Sequence, residues 1–187
     1  MSIYTVTSTK SIQGASANND SQYLALTVNP VFSTYYGFNA GNKGASLGAQ
    51  GTYIGYLAGA VNQGSSNVFL GYGAGLTNTY GSRNFYAGTL AGQNNVFGSD
   101  NTGIGNNSLG SSISSSGNVA LGSGAGSTIT EGNNICIGTN CDTLSNAAAY
   151  TKGNVSIGTG AQFSGQSNLT FGNATSNNGF ASIVIGS

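Results

Sequence analysis

"GSSNVFLGYGAGLTN", residues 64–78, places Asn67 ahead of three strand-like residues and follows them with Gly71, an aromatic, Gly73, Ala74 and Gly75. The same frame returns seventeen residues on in "GSRNFYAGTLAG" (81–92), then in "GSDNTGIGNNSLG" (98–110) and again in "SGNVALGSGAG" (116–126). One copy carries no evident chemistry. The repetition is what specifies a fold.

A glycine closes each apolar stretch, at Gly37, Gly48, Gly55, Gly71, Gly88, Gly105, Gly122, Gly138, Gly158, Gly172 and Gly186. The successive separations are 11, 7, 16, 17, 17, 17, 16, 20, 14 and 14 residues. A period near 14–17 is too short for helical repeats and suits one coil of a parallel β-solenoid. About eleven coils, each adding roughly 4.8 Å, predict a rod about 50 Å long.

Aligned on that glycine, the columns have distinct chemistry. Four residues before it stands Asn in seven consecutive coils: Asn67, Asn84, Asn101, Asn118, Asn134, Asn154 and Asn168. The columns three and one before it are mostly apolar, for example Val68 and Leu70 or Ile135 and Ile137. The column between them varies through Phe69, Tyr86, Gly103, Ala120, Cys136, Ser156 and Thr170. Read as a period of two, this predicts a short strand with Leu121 and Ile137 in the apolar columns facing inward and the variable column facing outward. Three residues after the glycine the side chain is small: Ala40, Ala58, Ala74, Ala91, Ser108, Ala125, Cys141 and Ala161. That column predicts a tight bend packed against the coil interior. The glycine itself is expected to hold a conformation other residues resist, or to let backbones pass closely. Asn suits the corner because its side chain caps turns and can ladder down stacked coils. Linkers such as "SSISSSG" (111–117) are expected to bulge from single coils.

The 187 residues carry only four basic and four acidic side chains, for a formal net charge of zero. So few cations cannot build a phosphate-binding patch, so nucleic acid is a poor partner. Ten Tyr, eight Phe and many β-branched residues argue for folding rather than disorder. A surface this poor in charge favours an assembly that covers part of it. The N-terminus shows no basic segment followed by an apolar run, and no stretch is long enough for a membrane helix. Membrane insertion is therefore not expected. With no His in the chain, the commonest catalytic base and metal ligand is absent, and no column repeats a carboxylate, so neither metal nor cofactor is expected. Cys136 falls in the column read as outward and Cys141 in the small inward one, so their side chains are expected to diverge as free thiols.

"NVALGSGAG", "NICIGTNC" and "NVSIGTGAQ" resemble the "SVAIG"-type repeats in the head domains of trimeric autotransporter adhesins. That resemblance implies an all-β, left-handed parallel β-roll assembled as a homotrimer, and the fourteen-residue spacing at the C-terminal end fits it best. The longer coils, such as "NVFLGYGAG", look more like repeat proteins of phage and large-virus appendages. The resemblance covers about residues 34–187, leaving 1–33 as an N-terminal capping or attachment segment. No signal peptide, heptad stalk or membrane anchor is legible, which favours a virion surface over a bacterial cell surface.

The expected function is a non-enzymatic structural and attachment protein forming a trimeric rod or fibre on a virus particle. The alternatives are the adhesive head of a bacterial trimeric autotransporter and, behind it, an ice-binding solenoid. The column after the glycine (Phe38, Tyr56, Tyr72, Thr89, Asn106, Ser123) lacks the regular Thr array that ice binding would favour. Trimer-interface candidates are the residues read as outward: Tyr35, Tyr53, Phe69, Tyr86, Ala120, Cys136 and Val184. Phe38, Tyr56 and Tyr72 share the post-glycine column and could stack on a ligand. Expected partners are copies of the chain itself, other virion or surface proteins through the N-terminal segment, and a host-surface glycan or protein. No catalytic residue is assigned. Glu131 with Asp142 is the only acid pair close enough in sequence to consider for glycoside hydrolysis.

Overall fold

A computed structural model describes residues 33–41, 50–143 and 151–186. It is an all-β parallel solenoid. Ten three-residue strands stack in register into one parallel sheet: β1 (Thr34–Tyr36), β2 (Thr52–Ile54), β3 (Val68–Leu70), β4 (Phe85–Ala87), β5 (Thr102–Ile104), β6 (Val119–Leu121), β7 (Ile135–Ile137), β9 (Val155–Ile157), β11 (Leu169–Phe171) and β13 (Ile183–Ile185). Three shorter strands, β8 (Asp142–Thr143), β10 (Gln162–Phe163) and β12 (Ser176–Asn177), form a second parallel sheet confined to the C-terminal coils. No helix among the described residues is long and apolar enough to cross a membrane. The N-terminal segment read as a cap, apart from Ser33, lies outside the described residues.

The sheet has ten rungs where the glycine count gives about eleven. Thr34 pairs directly with Thr52, and Gly48 lies outside the described residues. Apart from Gly186 in the last coil, the other reference glycines behave as expected. Gly71, Gly88, Gly105 and Gly122 have φ of 129–136°, a region closed to most side chains. A Cβ on any of them would sit 2.3–2.7 Å from the carbonyl oxygen of the matching glycine in the next coil. Close passage of backbones and positive φ thus act together at this column.

The strand phase is the reverse of the sequence expectation. Strands β3 to β7 each bury their central residue and leave the first and third residues on the outer side, half-buried or exposed. Tyr35, Tyr53, Phe69, Tyr86, Ala120 and Cys136 are therefore the core of the single chain, not a stripe on its surface. Val184 is half-buried at the centre of β13. Leu121 and Ile137 stand on the outer face instead of inside. The coil is so narrow that it encloses one strand side chain per rung, and its volume is fixed by what lies opposite. A Cβ added at Gly41, Gly59, Gly75 or Gly92, each four residues past the reference glycine, would collide with the ring of Tyr35, Tyr53, Phe69 or Tyr86. Where the strand centre shrinks to Gly103, that fourth position becomes Leu109, fully buried and held at φ 51°. The central column varies because it is matched in volume across the core, not because it is exposed.

The small residues three past the glycine line the same core, with Ala58, Ala74, Ala91, Ala125 and Ala161 fully buried. Cys136 and Cys141 consequently face each other, with Cα atoms 5.6 Å apart, and form a disulfide instead of diverging. Closing so short a loop stabilises the coil by about 2 kcal/mol on chain-entropy grounds.

The asparagine column forms the expected ladder, chiefly between side chain and backbone. The Asn84 amide N–H donates to Asn67 Oδ1 at 2.8 Å, Asn101 to Asn84 at 3.0 Å, Asn118 to Asn101 at 3.0 Å and Asn134 to Asn118 at 2.9 Å. The pattern continues through Asn154 and Asn168 at 3.1 and 3.0 Å. A second ladder, not anticipated from the sequence, runs through Asn62, Asn78 and Asn95 on the returning side. The two converge on shared carbonyls: Asn67 and Asn78 both donate to Gly81 O, and Asn84 and Asn95 both donate to Gly98 O. Buried polar groups are costly only when unpaired, so these fully bonded amides hold each corner in register. "SSISSSG" stays within its coil, since Ser112 and Ser115 are buried and bond to each other.

Candidate functional site

With the strand phase established, the surface to consider is the outer face of the ten-stranded sheet. Its two columns read Thr34, Thr52, Val68, Phe85, Thr102, Val119, Ile135, Val155, Leu169 and Ile183 on one side, and Tyr36, Ile54, Leu70, Ala87, Ile104, Leu121, Ile137, Ile157, Phe171 and Ile185 on the other. Ile54 and Ile104 are each 40% exposed, and no charged side chain occupies either column. Ten rungs at roughly 4.8 Å by a strand width of about 10 Å give a mostly apolar strip on the order of 400 Å², the size of the largest patch a typical monomer exposes and often a functional one.

Beside this strip, one residue past the glycine, runs the column carrying the stacking candidates. Phe38 stacks on Tyr56 with centroids 5.4 Å apart and ring planes 14° from parallel. Tyr56 stacks on Tyr72 at 5.4 Å and 5°. Tyr56 therefore has a neighbouring ring on each side. All three are exposed. The same column continues as Thr89, Asn106, Ser123, Thr139, Thr159 and Asn173, all exposed. A second exposed aromatic pair, Tyr80 and Phe97, stacks on the returning side at 5.5 Å.

Ionisable groups are sparse, and Arg83, Asp100 and Asp142 are committed to partners within the chain. Arg83 and Asp100 form an exposed two-pronged ion pair, with Nε–Oδ1 at 2.6 Å and Nη2–Oδ2 at 2.8 Å, which holds the Asp100 carboxyl below its usual range. Asp142 is buried, and burial pushes its carboxyl upward against the opposing pull of its donors. It accepts hydrogen bonds from Ser127 Oγ, the Thr128 amide and hydroxyl, and the Thr143 amide. The acid pair considered from the sequence thus has one member occupied in joining two coils. Burial also raises the Tyr53 and Tyr86 phenols, keeping both neutral. Among the described residues no group of three His, Cys, Asp or Glu could hold a metal ion. The shallow groove lined by Thr77, Asn94, Val96, Ser111 and Ile113 contains no ionisable side chain.

No protein-family model matches this chain, and no curated protein matches it in sequence.

Proposed function

We propose that this chain is a non-enzymatic structural and attachment protein that assembles as a homotrimeric rod on a virus particle. The observation that carries the reading is the uncharged apolar strip along the outer sheet face. A solenoid that ended its burial at the coil interior would place polar residues there, as antiparallel sheets with one solvated face do. Here both outer columns are aliphatic or aromatic for most of the rod, which suits burial against identical copies. Closed cyclic symmetry is the usual arrangement for identical subunits, and three-fold packing follows the repeat resemblance. Attachment to a virion rests on the longer coils, which resemble those of viral appendages. The C-terminal coils, with fourteen-residue spacing, favour a second reading as the head of a bacterial trimeric autotransporter.

Light scattering tests the assembly, using Leu70→Lys, Ile104→Lys and Leu121→Lys together. The unmodified protein is expected to run as a trimer. The triple variant is expected to dissociate or aggregate while its circular dichroism keeps the coil signature. A soluble monomer for the unmodified protein overturns the reading. Labelling intact virions with an antibody to the chain tests the location.

A further inference from the structure

We propose that the post-glycine column is a binding site for a neutral oligosaccharide, with one sugar ring stacked on the face of Tyr72 that no other ring covers and its hydroxyls on the polar side chains that follow. The inference rests on the attachment function proposed above and gives it a ligand class.

Tyr72 is the end of an aromatic stack. One side of its ring meets Tyr56, and it is 52% exposed. The register fixes what lies beyond it. The Leu90 amide donates to the Tyr72 carbonyl at 2.8 Å, so the next rung of the column is Thr89, which carries no ring. Of the three stacking candidates, Tyr56 has neighbours on both sides, while Tyr72 presents an unstacked face toward the C-terminal coils. An apolar ring face beside hydrogen-bonding groups is the combination a pyranose uses, through its C–H face and its ring of hydroxyls.

The hydrogen-bonding groups follow in line. Thr89, Asn106 and Ser123 occupy the next three rungs, all exposed. The Asn107 amide donates to the Thr89 carbonyl at 2.9 Å and the Gly124 amide to the Asn106 carbonyl at 2.8 Å, which keeps the column straight along the rod. Successive rungs are roughly 4.8 Å apart, so a single sugar beyond Tyr72 lies within reach of more than one of these side chains. A sugar stacked on Tyr72 lies across the rod, above Thr89, so its hydroxyls meet Thr89 and the Asn106 side chain of the following rung. The column carries no charged residue, so nothing in it selects an anionic sugar over a neutral one. Thr and Asn can each donate and accept, which matches hydroxyls and N-acetyl groups alike.

Isothermal titration of the full-length protein with cellohexaose and with N-acetylchitohexaose tests this, with oligosialic acid as the anionic comparison. Saturable binding of at least one neutral hexasaccharide is expected. Tyr72→Ala should weaken it by about ten-fold, and Thr89→Val with Asn106→Val should weaken it further. Tyr80→Ala, on the opposite side, should leave it unchanged, with melting temperatures confirming that each variant folds. The inference is overturned if neither neutral sugar binds, if oligosialic acid binds more tightly, or if Tyr72→Ala binds as tightly as the unmodified protein. Light scattering on the same samples separates the two readings. A trimer that binds no sugar removes this inference alone, whereas a sugar-binding monomer removes the assembly alone.

Discussion

The two ends of the rod solve one packing problem with different side chains. In the N-terminal coils, Tyr35, Tyr53, Phe69 and Tyr86 fill the core as a continuous aromatic column, with neighbouring centroids 5.3–5.4 Å apart and the Tyr53 and Phe69 rings tilted by 52° where the two stacked pairs meet. Glycines opposite make room for the rings, and the return path is a run of turns braced by Asn62, Asn78 and Asn95. In the C-terminal coils the strand centres shrink to Ser156 and Thr170, and the return path tightens into β8, β10 and β12. The buried hydroxyls of Ser156 and Thr170 have no hydrogen-bond partner among the described residues. The change occurs between Ser112 and Ile129. At that returning position Asn95 is followed by Ser112 and then Ile129, while Leu109 enters the space left by Gly103. A coil can thus be long with its large ring on the strand centre, or short with small strand centres and the ring of Phe163 supplied from the second sheet.

The sharpest way to break this comparison is to remove one core side chain from each end. Phe69→Ala empties a fully enclosed ring position and is expected to cost about 3–5 kcal/mol. Thr170→Ala removes an unpaired hydroxyl and one methyl, and is expected to cost less than about 1 kcal/mol. Chemical denaturation of the two variants checks the ranking. Equal costs would mean that the rings do not carry the N-terminal core.

A finer test exchanges volume across the core at the changeover. Gly103→Phe alone should destabilise, because even a Cβ there lies 3.1 Å from the Tyr86 ring and 3.0 Å from Ser108 Oγ. Leu109→Gly alone should destabilise by leaving a cavity. Together they recreate the N-terminal pairing of ring and glycine, so a favourable coupling of about 1–3 kcal/mol is expected in the double-mutant cycle. Additive costs would show that the two columns do not share one volume.

The smallest effect concerns Asp142, where the two kinds of coil join. Its folded-state carboxyl is raised by burial, so the folded protein holds that proton more tightly than the unfolded chain. The contribution of Asp142 to stability is then most favourable below the unfolded value near 3.8 and declines as pH rises toward the folded one. Asp100, lowered by Arg83, works in the opposite direction but is exposed, where such pairs contribute little. Melting curves across acidic to neutral pH should therefore flatten in Asp142→Asn relative to the unmodified protein. An unchanged profile would remove Asp142 as its source.

The repeat period, the asparagine ladder, the bend glycines and the small buried column were all legible in the sequence, because each depends on local backbone geometry repeated from coil to coil. Period-two alternation was legible too, but its phase was not. Hydropathy places Val119 and Leu121 inside and Ala120 outside, and the fold does the opposite. The signal that could have corrected the phase was the pairing of aromatics with Gly41, Gly59, Gly75 and Gly92, and of Gly103 with Leu109. Those pairs record which residues share one cross-section, a relation between the two sides of a coil. Only the closed tertiary structure decides that. Its interior has room for a single strand side chain per rung, so the richer apolar pair is left outside, and Cys136 meets Cys141 across the same narrow space.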